Sequence, residues 1–141
     1  MAMMDKTLGA YEEPRASVLV IHLFLEYSMN KILSKLFKNT DKLEKMSFAR
    51  KVTILDAVGL FSKDLIKDIG IVNDVRNLFA HEIKIESDDF ENKFLNKMKT
   101  ISFYKELNMS DPIDAFNIFS LVTIRILRLL EGIYNNLINQ K

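Results

Sequence analysis

Arg76, Asn77 and His81 are the residues whose types and spacing could do chemistry; they lie in the stretch IVNDVRNLFAHE, residues 71–82. A guanidinium is permanently charged and can hold two phosphate oxygens at once. An imidazole titrates near neutrality and so transfers protons readily. An amide beside them can orient the ring or bind a phosphate oxygen. Metal-independent cleavage of RNA asks for this set. A base must take the 2′-hydroxyl proton, an acid must protonate the leaving oxygen, and a cation must stabilise the phosphorane charge.

The flanking sequence is helical. Leu65, Ile69, Val72, Arg76 and Phe79 recur at steps of four, three, four and three, one stripe of an amphipathic helix that Arg76 interrupts. A charge on such a seam is costly unless it is paired or functional. At ~100° per residue, Arg76 and His81 stand ~140° apart with ~7.5 Å of rise between them, so one straight helix does not aim both at one small group. Asn77 and His81, four apart, share a face. Two copies of the helix across a two-fold axis would bring two Arg and two His together, which makes a homodimer part of the chemical expectation. A structural role competes for the same residues: Arg76 paired inside the bundle with Glu26, Asp56 or Glu131, and His81 capping the end of its helix.

Arg76-Asn77-x-x-x-His81 resembles the signature of the HEPN superfamily, an Arg, a polar residue and a His four to six positions beyond the Arg. The wider context, PRASVLVIHLFLEYSMNKIL followed by DAVGLFSKDLIKDIGIVNDVRNLFAHE, resembles the mannitol operon repressor family within that group. The resemblance covers about residues 14–82 and implies an all-α, antiparallel bundle that dimerises with its motifs apposed. It implies either of two activities. One is a metal-independent endoribonuclease, a toxin or defence effector acting on RNA and neutralised by an antitoxin, with Arg76, Asn77 and His81 as its site. The other is a non-catalytic transcriptional regulator that binds protein or DNA.

The elements that would position these residues follow from periodicity. Residues 1–10 show none and are expected to be a flexible end, with a single domain over 11–141. A first long helix runs from about Tyr11 or Pro14 to Phe37, with Val18, Ile21, Leu25, Met29, Ile32 and Leu36 on one stripe. Residues 18–25 are apolar almost all round, as in a central helix or one covered by a partner. His22 and Glu26, four apart, can pair, and a satisfied core histidine is the plainer reading of His22. A polar connection precedes a helix over Phe48–Phe61, with Val52, Leu55, Val58 and Leu60 inward. Gly59 and Ser62 then mark an end and a new start, Ser62 capping a helix from Lys63 to about His81. Ser87 opens a short helix to about Thr100, and Asp111-Pro112 opens a last one to about Asn139 whose wet side holds Arg125, Arg128 and Glu131. The sum is four long helices plus one short helix.

Composition narrows the function. The 141 residues are 48% hydrophobic and 28% charged, with 4 Gly and 2 Pro, which fits a globular helical domain. Net charge is +1, so no global field attracts nucleic acid. Between Lys31 and Lys51, however, seven basic residues face two acidic ones. Within that run Lys38, Lys42, Lys45, Arg50 and Lys51 form either a solvated face or a phosphate-tracking edge for RNA. Zero Cys and two His leave no thiol chemistry and little to ligate a metal, so no cofactor or metal is expected. The acidic residues 88–91 lack calcium-loop spacing, and a helix-turn-helix over 52–73 would read DNA with Lys63, Asp64, Lys67 and Asp68, whose charges cancel. The apolar run Ala16–Leu25 is too short to cross a membrane and follows two Glu rather than basic residues, so no membrane partner and a cytoplasmic location are expected.

Overall fold

The computed structural model describes residues 2–81, 88–106 and 114–140; of residues 2–14 it describes the backbone only. Within these, regular structure is all helical: α1 (Ala2–Leu36), α2 (Asp41–Glu44), α3 (Phe48–Val58), α4 (Lys63–His81), α5 (Asp88–Met98), a 3-10 turn (Tyr104–Glu106) and α6 (Ala115–Asn139). The expected all-α class is what the chain adopts.

Helix ends follow local chemistry. Ser47 accepts from the Arg50 amide and starts α3; Gly59, at φ 84°, stops it in the left-handed conformation that glycine adopts without strain. The helix expected over 48–61 is therefore three residues shorter, and Val58 and Leu60, expected inward, are exposed. Ser62 caps α4 as expected, accepting from the Leu65 amide at 3.1 Å. Asp114 caps α6, accepting from the Asn117 amide at 2.8 Å; Asp111 and Pro112, the expected start, lie outside the described residues, as does Ser87.

Two further expectations are corrected. The backbone is helical from Ala2, so α1 begins before the expected start at Tyr11 or Pro14, and Pro14 sits inside the helix. Ala, Met, Lys and Leu propagate helix well without an apolar stripe, and a proline removes one hydrogen bond of the ladder. In place of four long helices and one short, α1, α4 and α6 are long with 35, 19 and 25 residues, α3 and α5 have 11 each, and the polar connection contains the four-residue α2.

The core explains the order. α4 packs against α1, α3, α5 and α6, and α1 packs most extensively on α6. Leu65, Ile69, Val72, Val75 and Phe79 carry α4 into the core; Val18, Leu25, Met29 and Ile32 do so for α1, and Phe119, Val122, Ile126 and Leu130 for α6. Phe79 meets the edges of Phe90 (4.8 Å) and Phe94 (5.1 Å), and Phe94 meets Phe119 (6.2 Å), tying α4, α5 and α6. The pairs Asp74–Lys97 and Phe79–Phe90 set α5 antiparallel to α4. Buried Asp68 accepts from the Ser102 amide (2.9 Å) and hydroxyl (2.6 Å), pinning the chain after α5 to the middle of α4.

Arg15–Leu36 of α1 is long and apolar enough, by length and composition, to cross a membrane, which the run Ala16–Leu25 alone is not. In the fold, Val18, Leu25, Met29, Ile32 and Leu33 of this segment are core residues. Its opposite face carries Val20, Leu23, Phe24 and Tyr27, of which Leu23 and Tyr27 are each 63% exposed.

Candidate functional site

α4 presents its polar residues in two directions. At ~100° per residue, Asn73 and Arg76 flank the core stripe on the side of α1, while Asp74, Asn77 and His81 turn away from it. Arg76 is half-buried and its Nη1 donates to Asn77 Oδ1 at 3.3 Å. His81 is exposed and is the last residue of α4. Asn77 lies between the two, half-buried, and shares a face with His81 one turn on.

The seam between α1 and α4 holds a polar cluster. Buried His22 donates from Nε2 to Asn73 Oδ1 at 3.0 Å and stacks on Phe48 with ring centroids 4.3 Å apart. Burial pushes the imidazole below its ordinary titration range and the Arg76 charge adds to that; the Asn73 bond and the Glu26 carboxylate oppose it. His22 is therefore a neutral donor at pH 7, and the pairing expected between His22 and Glu26 is an electrostatic influence, with Asn73 as the hydrogen-bond partner. Glu26 instead holds Lys51, whose Nζ lies 3.5 Å from Glu26 Oε2. Lys51 is 1% exposed. It is not a surface cation, so the basic edge loses it. Phe48, Lys51 and Leu55 fall at i, i+3 and i+7, on the buried face of α3.

The other expected RNA-contacting residues, Lys38, Lys42, Lys45 and Arg50, are exposed around α2 and the start of α3. Of the partners open to Arg76, Glu131 is exposed on α6 beside Tyr134 and Lys31, and Asp56 is exposed on α3. Asn73 was not singled out in sequence, Lys51 was read only as part of the basic run, and Asp68 only among charges that cancel. Asn73 had a signal: with Arg76 and Asn77 it forms a polar strip at i, i+3 and i+4. Asp68 also had one, since it falls three residues after Leu65 and four before Val72, on the inner face of α4.

On the outer side of α4, Asp74, Asn77 and Leu78 form one wall of a groove of about 680 Å³ whose other wall is α5, through Lys93, Asn96, Lys97 and Thr100. Lys97 pairs with Asp74 across it at 3.3 Å, and Lys93 pairs along α5 with Asp89 at 3.3 Å. Among the described residues, no three His, Asp or Glu side chains are grouped so as to hold a metal ion.

Chemically, α4 thus offers a preset guanidinium, an amide and an exposed imidazole within six residues. Compared with known proteins, the chain matches no family model, no curated protein and no solved structure.

Proposed function

We propose that the protein is a dimeric, metal-independent endoribonuclease of the HEPN type, acting in the cytoplasm as a toxin or defence effector. The observation that carries this reading is the state of the three motif residues. Arg76 is held half-buried by Asn77, while His81 stands exposed at the end of the same helix. A histidine with only a capping role does not require an oriented cation and amide one turn before it. In the proposed reaction His81 from the two chains serves as base and acid, and Arg76 neutralises the phosphorane. The 2′-hydroxyl is the nucleophile: its oxygen bonds to phosphorus, its proton goes to one imidazole, and the leaving 5′-oxygen takes a proton from the other. The product ends in a 2′,3′-cyclic phosphate.

The dimer is supported by the exposed face of α1. Val20, Leu23, Phe24 and Tyr27 recur at i, i+3, i+4 and i+7, a continuous apolar stripe opposite the core. Exposed Leu121, Ile124 and Leu129 on α6, the main packing partner of α1, add to the apolar surface. The same stripe favours one other reading, a non-catalytic regulator of the mannitol-repressor type that docks a partner protein.

Incubation with mixed RNA in EDTA, alongside sedimentation, separates the two. The nuclease reading expects a dimer, cyclic-phosphate ends, and loss of both dimer and cleavage in Phe24→Glu, whose side chain is already exposed. A dimer that cuts no RNA supports the regulator; a monomer at tens of micromolar removes the composite site.

A further inference from the structure

The groove between α4 and α5 lies outside the α1–α4 seam and is unused by the chemistry proposed above. Its α5 wall is a polar stripe, Lys93, Asn96, Lys97 and Thr100, at i, i+3, i+4 and i+7. Buried Phe90, Phe94 and Met98 occupy the other face of α5, so the helix is divided into a core face and a polar groove face. Asn77 stands on the opposite wall and is also the acceptor for Arg76, so the groove opens directly beside the motif. Because α5 runs antiparallel to α4, Lys93 lies nearer the His81 end and Lys97 nearer Asp74.

We infer that this groove seats the backbone of single-stranded RNA next to the Arg76–Asn77–His81 motif, with Lys93 and Lys97 on successive phosphates and Asn77 and Asn96 on 2′-hydroxyls. The inference rests on the nuclease reading for its orientation, but not for its chemistry of binding. The groove has a volume of about 680 Å³ and is open to solvent along its length, so a strand can lie in it without threading. The lysines lie four residues apart, ~6 Å along the helix, and repeat in the direction a strand would run. Both are held by carboxylates in exposed pairs, Lys93 with Asp89 and Lys97 with Asp74. Exposed pairs of this kind are weak, so a phosphate can replace either carboxylate at little cost. No aromatic side chain lines the groove, so stacking cannot read bases and binding is sequence-tolerant. The amide groups supply both donors and acceptors, which a 2′-hydroxyl can use and a deoxyribose cannot.

The test uses the full chain carrying His81→Ala, in EDTA, with a fluorescein-labelled twelve-residue oligouridylate read by anisotropy across a salt series. Lys93→Glu/Lys97→Glu is expected to weaken binding tenfold or more, and Lys93→Gln/Lys97→Gln threefold or more. The Gln pair should lower the slope of log affinity against log salt by about 1.4, two contacts at ~0.7 each. Lys35→Glu/Lys105→Glu, an equal charge change at exposed positions outside the groove, should stay within twofold, and oligothymidylate should bind more weakly than the RNA. Equal losses in the two lysine-to-glutamate pairs would overturn the inference, as would no RNA binding at 100 µM protein. Displacement of the RNA by a glutamate-rich peptide at equal concentration would also overturn it, in favour of an acidic protein partner. RNA binding that depends on Lys93 and Lys97 in a protein that never cuts supports the groove and removes the nuclease. Cutting that ignores both lysines does the reverse.

Discussion

The two sides of α4 differ in how far their polar residues are constrained. Toward α1, His22 bonds Asn73, Lys51 pairs with Glu26, and Arg76 is turned onto Asn77. Away from α1, His81 is exposed, and the groove lysines pair with Asp74 and Asp89 at exposed positions. Polar groups out of water need partners, so the first side records what folding demands. The second carries exposed side chains, and the proposed substrate is placed there.

Stability measurements can break this comparison. The largest effect is expected from Glu26→Ala, which leaves Lys51 buried without its carboxylate and should cost about 3 kcal/mol, whereas Lys51→Met fills the same volume and should stay within ~1 kcal/mol. Chemical denaturation measures both; equal costs would mean that Lys51 acts through packing alone. Asp68→Ala removes two acceptors from Ser102 and should cost about 2–3 kcal/mol, lowering Tm by roughly 5–10 °C.

How much of this was legible in sequence differs between the two sides. The α4 stripe, the Ser62 cap and the stop at Gly59 could be read because each is a local signal, made within a few residues of one helix. The end of α4 at His81 was legible for the same reason. The seam was not. His22 and Asn73 are 51 residues apart and Lys51 meets Glu26 from another helix, so only the packing of α1, α3 and α4 selects these partners. Lys51 was misread as a surface cation because a run of basic residues suggests a solvated face, while its place at i+3 from Phe48 and four before Leu55 set it inward.

Acid titration sharpens the comparison further. Burial and Arg76 hold the folded His22 below its ordinary value of 6.5. As pH falls through about 6.5 the unfolded chain takes up a proton that the folded chain refuses, so the stability present above that pH is lost on acidification. His22→Gln, which can still donate to Asn73, should flatten the fall in Tm between pH 7 and pH 5. An unchanged slope would place the acid sensitivity elsewhere. The smallest effect is expected from His81→Ala: an exposed terminal side chain should shift stability by less than ~0.5 kcal/mol.

That last contrast carries the central claim, that His81 is free of the fold because it works on a substrate. Wild type and His81→Ala should be compared on one mixed RNA substrate in EDTA, with melting temperature and sedimentation followed in parallel. The expected result is a cleavage rate at least ~100-fold lower in His81→Ala, with melting temperature and dimer unchanged. Equal cleavage by the two proteins would contradict it.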